Sequence, residues 1–247
     1  MRPEPAVSPP STLRLIRLDA LRATWMLWMA GFHFAFDLAH FRLIDANFYA
    51  DPWWTTQRTL ILSGFLFWAG LSQGLALAGG QGGARFARRW GQVAGAAALV
   101  SLGSAWMFPG SWISFGVLHA FALLLPVLRW GGARLSSPLL LALAALAVAL
   151  PVLVQHPVFD SRWTNWVGLV THKPITEDYV PVLPWAAPLL LGLWASRQPG
   201  VRRWLAGPLP RAGRGLAALG RWPLSFYLLH QPLFIGGLMA WLAWTGR

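Results

Sequence analysis

The chain reads as an all-α, polytopic membrane helix bundle of about seven transmembrane helices, with its N-terminus in the cytoplasm. Three observations predict this. Only 11% of the 247 residues are charged, whereas 56% are apolar and 17 are tryptophan; a soluble domain has about a quarter of its residues charged. Apolar stretches that reach or approach the ~20 residues needed to cross a hydrocarbon core recur along the whole chain. The basic residues fall mainly in alternate connections, which fixes an orientation.

The elements follow in order. Residues 1–13, rich in Pro and Ser, are expected to form a disordered tail, and 14–247 a single transmembrane helical domain. No secretory cleavage pattern is visible, and the first apolar stretch is too long for a signal-peptide core, so it is expected to stay in the membrane as an anchor. Spans are predicted near 21–41, 55–78, 91–108, 112–129, 136–154, 182–197 and 222–244. The third and fourth are separated by Pro109, Gly110 and Ser111, a helix-breaking turn. The sixth is short and carries Pro181, Pro184 and Pro188. In the seventh, Pro232 cannot donate to the carbonyl of Leu228, which loosens the helix beside His230 and Gln231. With the N-terminus inside, 15 of the 20 basic residues lie on the inner side, leaving Arg42, Arg58, Arg162, Lys173 and Arg247 outside. The outer connection, roughly 155–181, is too long for a turn. Its Trp163 and Trp166 stand among Asp160, Arg162, Asn165, His172, Lys173, Glu177, Asp178 and Tyr179. That mixture suits a sugar-like ligand or a re-entrant segment with aromatics at headgroup level.

Several functions are excluded at this stage. Cysteine is absent, which removes disulfides, thiolate catalysis and Cys-ligated zinc or iron–sulfur sites. The net charge of +12 does not point to nucleic acid, because the loops offer no contiguous basic surface with base-reading elements. No internal repeat supports an inverted-repeat transporter.

The first span concentrates the polar chemistry. At 100° per residue, Arg22, His33 and His40 fall within about 20° of one another, with Asp19 and Asp37 roughly 60° from Arg22. Ala23 to Phe36 contains no charged residue. Ionisable groups are costly in hydrocarbon, so such a stripe points at protein or at a ligand. His33 lies in the outer half at a depth similar to His119 of the fourth span, and His230 sits nearer the middle. Imidazole suits proton transfer near neutral pH. Asp37, one turn beyond His33, is placed to raise the basicity of that ring. Asp19 and Arg22 form an i,i+3 pair at the inner boundary. Gln57 and Arg58 open the second span, where Arg58 is in reach of Asp37, an anionic substrate or the interface.

The string RLDALRATWMLWMAGFHFAFDL resembles the opening of the bacterial heparan-α-glucosaminide N-acetyltransferase catalytic-domain-like membrane proteins. It is also similar to the broader transmembrane acyltransferases, whose first helix carries a basic residue, ten intervening positions and then His, as Arg22 and His33 do. The resemblance continues through FYADPWWTTQRTLILSGFLFWAGLSQGLA, WISFGVLHAFALLLP, DYVPVLPWAAPLLLG and RWPLSFYLLHQPLF, touching most of residues 14–235. It implies transfer of an acyl group, acetyl in the named family, from cytoplasmic acyl-CoA to a carbohydrate or envelope glycan on the outer face of a bacterial inner membrane. Carried over by motif, His33 is the base or acyl acceptor and Arg22 contacts the donor, about 16 Å away along the helix. Asp37 then orients His33, and Arg58, His119, His230 and Gln231 are substrate-side candidates. The resemblance implies no metal.

Three alternatives stand beside it: a proton-coupled transporter or flippase in which His33 and Asp37 relay protons, a haem protein ligated by His33 and His119, and a zinc site drawing on His33, Asp37 or His119.

Overall fold

Each predicted apolar run is a helix in the computed structural model, which describes residues 15–246. The expected disordered tail lies outside the described residues. The helices are α1 (Ile16–His40), α2 (Pro52–Ala78), α3 (Gly83–Met107), α4 (Val117–Trp130), α5 (Ser137–Leu153), α6 (Val182–Ser196), α7 (Pro199–Ala206), α8 (Arg214–Leu219) and α9 (Pro223–Thr245). Helix starts carry the expected signals. Asp51 accepts from the Trp53 N–H at 2.8 Å with Pro52 opening α2, and Ser136 caps α5.

Two boundaries differ from the sequence reading. α3 begins at Gly83 rather than near 91, because exposed Arg85, Arg88 and Arg89 continue the helix beyond its apolar part. α4 begins at Val117 rather than near 112, because residues 111–116 bond to the 155–181 connection instead. Ser111 O accepts from Glu177 N at 3.0 Å and Phe115 O from Val180 N at 3.1 Å.

Length separates the helices. Among the described residues, α2 and α9 are both long and apolar enough to cross a membrane, and α5 and α6 are apolar but shorter. α4, with 14 residues, rises about 21 Å against a hydrocarbon core of about 30 Å. Seven full-length spans are therefore not what the helices provide. α4 and α6 are flanked by irregular backbone that is buried in protein, the setting in which such backbone is tolerated in membrane proteins. Val180 and Asn165 in that backbone are 2% and 1% exposed.

The bundle is organised on the crossing of α2 and α6. Gly70 lies on the carbonyl of Leu189 and Gly192 on that of Phe67, each so close that a Cβ would meet the oxygen at 2.0 Å. One turn on, Gly74 faces Ser196 Oγ in the same way. Small residues at i,i+4 on both helices let the backbones approach, the usual basis of close helix contact in lipid. Leu66, Leu189 and Leu193 from this crossing join Leu124 and Leu128 of α4 and Leu140 and Ala144 of α5 in the main core. α3 packs on α4, and α1 packs on α2, α8 and α9. α9 exposes Leu229, Leu233, Met239 and Trp244, a surface that lipid accommodates and water does not.

Basic side chains tie one end together. Arg17 donates to Trp204 O at 2.7 Å and to Pro208 O at 2.8 Å. Arg129 donates to Gln81 O at 2.8 Å, and Arg197 to Leu135 O at 2.6 Å. Guanidinium groups thus satisfy carbonyls at helix ends and turns, which have no partner within the helix.

Gly70→Ala and Gly192→Ala should each lower stability by about 1–3 kcal/mol through overpacking, read as a fall in melting temperature in detergent. Gly91→Ala, where a Cβ meets nothing within 4 Å, should leave it unchanged or raised; equal melting of all three would refute the close crossing.

Candidate active site

The polar residues of α1 are directed to different neighbours at its two ends. Arg22 donates to Asp19 Oδ1 at 2.9 Å and, across to α2, to Ser72 Oγ at 2.7 Å. Ser72 in turn donates to the Trp68 carbonyl. Between the ends, α1 presents indoles to α2: Trp28 donates to Gln57 Oε1 at 3.0 Å, and Gly64 leaves room for the Trp25 ring. Beyond them, α1 turns to α9. His33 Nδ1 lies 2.7 Å from His230 Nε2, and Gln231 Nε2 donates to Asp37 Oδ1 at 2.7 Å.

The second end is well enclosed. Asp37 is 3% and His230 6% exposed. Phe226 and Phe234 flank the His230 ring, and Phe32, Phe48 and Ile61 close the cluster beneath α1. Two oxygens there, Asp37 Oδ2 and Gln231 Oε1, are buried with no hydrogen-bond partner. Both are acceptors, so this end of α1 is suited to a group that brings N–H or O–H donors. His33 and Asp37 lie one turn apart, yet each bonds to α9 rather than to the other. His40 is exposed at the end of α1.

The remaining sequence candidates lie elsewhere. His119 Nδ1 accepts from Gly116 N at 3.2 Å, while His119 Nε2 and Ser101 Oγ are 3.0 Å apart. Ser101 donates onward to Ile113 O at 2.6 Å. His119 is therefore the third residue of α4 closing its own N-terminus, half of a capping box, and it ties α4 to α3. Arg58 is exposed and lies beside Lys173 of the outer connection, whose ammonium is pushed below its ordinary value by burial and then by Arg58, with Asp178 opposing. Among the described residues no group of three His, Asp or Glu side chains converges on a metal position.

The outer connection is held as a structured lid. Asp178 reaches the start of α4, where Oδ2 accepts from Val117 N at 2.8 Å, and its carboxyl occupies the space a Cβ on Gly116 would fill. Burial raises the Asp178 carboxyl above the ordinary carboxylate range, with the Val117 N–H and Lys173 pulling the other way. Thr171 donates to Asp160 through its hydroxyl at 2.6 Å and its N–H at 2.7 Å, holding that carboxyl below the usual range. Tyr179 donates to Asn165 O at 2.7 Å. Between this lid and the α3–α4 turn is a cleft of about 260 Å³ lined by Trp112, Ser114, Phe115, Arg162, Trp163 and Trp166, with the Arg162 guanidinium 5.2 Å from the centre of the Trp112 ring.

The arrangement of a basic residue, ten positions and then a half-buried histidine on the first helix, closed by a second, buried histidine from the last, can be compared with known proteins. The sequence profile for the catalytic region of heparan-α-glucosaminide N-acetyltransferase matches residues 14–232. The chain belongs to this family. Comparisons with curated proteins and with solved structures find no match. The family is one of membrane-embedded acetyltransferases that draw on acetyl-CoA, and its matched region takes in both ends of α1, the lid and the His230 segment of α9.

Some residues of the site escaped the sequence reading. Ser72, the partner of Arg22, sits in an ordinary small-residue run. Ser101 had a usable signal, as one of two hydroxyls, with Ser104, in an apolar span. Tyr227 had none: it packs between the main core and the α1 cluster, gives its carbonyl to His230 and lies within electrostatic reach of Asp178.

Asp178→Ala should cost about 1 kcal/mol by uncapping α4. Asp178→Asn keeps an acceptor for Val117 and should match wild type at low pH and exceed it at neutral pH. Because the folded carboxyl binds its proton more tightly than the unfolded one, wild-type stability should fall as pH rises from the ordinary value of 3.8 through the raised one. Asp178→Asn should flatten that slope in melting curves taken across the acid range.

Proposed function

We propose that this chain is a membrane-embedded acyltransferase that moves an acyl group, acetyl in the family's chemistry, from cytoplasmic acyl-CoA to a carbohydrate on the outer face of a bacterial inner membrane. In this reading α1 to α6 and α9 are the seven crossing elements of one transmembrane domain, with the N-terminus cytoplasmic. The observation that carries it is the layout of α1. A cation pre-oriented by Asp19 and Ser72 stands eleven residues, about 16 Å, from the hydrogen-bonded pair of His33 and His230. The arginine-rich end, where Arg17, Arg129 and Arg197 bond the turns, is the cytoplasmic end by the positive-inside rule.

The chemistry follows from the residues. Arg22 is the donor-side contact and holds the anionic cosubstrate as it enters. At the other end the acceptor's hydroxyl or amino group meets Asp37 Oδ2 and Gln231 Oε1, the two acceptor atoms without partners. That group attacks the thioester carbonyl carbon, the C–S bond breaks with CoA leaving as thiolate, and the proton passes to His33 as general base. Direct attack by His33, giving a transient acylimidazole, uses the same geometry. The cleft of Trp112, Phe115, Trp163 and Trp166 beside Arg162 supports a carbohydrate acceptor: flat apolar rings for the sugar face and polar groups at its rim. A second reading, a proton-coupled transporter or flippase, draws on the same His33, Asp37 and His230.

Purified protein in nanodiscs should release CoA from acetyl-CoA when a glycan acceptor is supplied. His33→Ala should lower that rate by about 10²–10⁴-fold with melting unchanged, and Arg22→Ala should act chiefly on the KM for acyl-CoA. An active His33→Ala protein would defeat the mechanism, and solute flux without any acyl donor would favour the transporter.

A further inference from the structure

The hydrogen bonds around His230 settle which ring nitrogens carry protons. His230 Nδ1 faces two carbonyl oxygens of its own helix, Phe226 O at 3.1 Å and Tyr227 O at 2.8 Å. A carbonyl oxygen only accepts, so His230 Nδ1 carries a hydrogen. In the neutral ring Nε2 is then bare, and it lies 2.7 Å from His33 Nδ1. Two bare nitrogens do not face each other at that distance, so His33 Nδ1 is the donor. The rings are 12° from parallel with centroids 5.0 Å apart, which is the N···N distance plus two ring radii. They therefore lie edge to edge with the bond nearly in both planes. His33 Nε2 is left with its lone pair.

We infer that His230 is a positioning residue: anchored by two backbone carbonyls, it locks His33 in the Nδ1–H tautomer and so presents the His33 Nε2 lone pair to the reacting groups. This rests on the acyltransferase reading for its chemical meaning. When His33 Nε2 takes the acceptor's proton, the acceptor's O–H or N–H bond breaks as its bond to the acyl carbon forms. The resulting imidazolium keeps donating from Nδ1 to His230. Where His33 Nε2 itself attacks, the N–C bond forms, the C–S bond breaks and CoA leaves as thiolate. The Nδ1 proton then passes to His230 Nε2, giving a neutral acylimidazole and a His230 cation whose Nδ1–H still points at two carbonyls. In both routes His230 receives from His33 and never needs to touch substrate. Asp37 takes a different part: it fixes Gln231, the residue after His230, instead of His33.

The test uses full-length protein with ¹⁵N-labelled histidine in nanodiscs, with His33→Asn and His230→Phe assigning the signals. Long-range ¹H–¹⁵N correlations should show His33 protonated at Nδ1 and bare at Nε2. In His230→Phe, which keeps the aromatic packing, His33 should lose that single tautomer, and kcat for CoA release should fall about 10²-fold with KM little changed. His230→Gln offers an amide oxygen to His33 Nδ1, so it should keep the tautomer and recover part of kcat. A wild-type His33 protonated at Nε2, or a His230→Phe protein with full kcat, would overturn the inference. The assigned tautomer in a wild-type protein that releases no CoA would uphold the geometry of the pair and remove the acyltransferase reading.

Discussion

The candidate site answers to one constraint: α1 carries Asp19, Arg22, His33 and Asp37 on an otherwise apolar helix of a membrane-embedded family, where such groups need partners from protein. Each of them is engaged by protein. Asp19 and Ser72 hold Arg22, and His230 and Gln231 hold His33 and Asp37. The polar partners of α1 are thereby assigned by chemistry, α2 at one end and α9 at the other, while α8 packs against it without such bonds among the described residues. Pro232, one residue past Gln231, fits this, since it removes a backbone donor next to the residues that bond across to α1.

Helix packing leaves α1 free for this work. The main core is built without it, by α2, α4, α5 and α6 around the glycine contacts of Gly70 and Gly192. α1 and α9 then stand against one side of α2 in a smaller aromatic cluster of Phe32, Phe48, Trp54 and Phe226. A site set between a rigid core and a peripheral pair of helices can bind and release a substrate without disturbing the packing that stabilises the bundle.

The spans were legible because apolar runs and their breakers are local properties: Pro109 and Gly110 end one helix, and Pro52 and Pro223 begin others. The polar stripe was legible because helical periodicity alone puts Arg22 and His33 on one face. Partner choice was not. The i,i+4 spacing made Asp37 the natural companion of His33, but a histidine from the far end of the chain reaches closer, and no local pattern encodes a contact spanning 197 positions. His119 looked equivalent to His33 by depth, yet its role is set by Gly116 and Ser101, neither of which sequence spacing singles out. The start of α4 was misread for the same reason, since residues 111–116 are drawn away by a loop more than 60 positions downstream.

The polarity of the groups without partners gives α1 a direction. On α2 near Ser72 the buried atoms left over are donors, Trp68 Nε1 and Gln73 Nε2; near His33 the atoms left over are acceptors, Asp37 Oδ2 and Gln231 Oε1. Each end thus lacks what a different ligand would bring: an anion or carbonyl at the first, an N–H or O–H at the second. A symmetrical relay for a single proton would have no reason for that asymmetry, since the same proton visits both ends. Two reactants arriving from opposite sides, as in the proposed acyl transfer, would have one. In the proposed acyl transfer the ~16 Å between the ends is too far for direct contact, so a donor held at Arg22 would have to extend along α1, past Trp25 and Trp28, for its acyl carbon to reach His33.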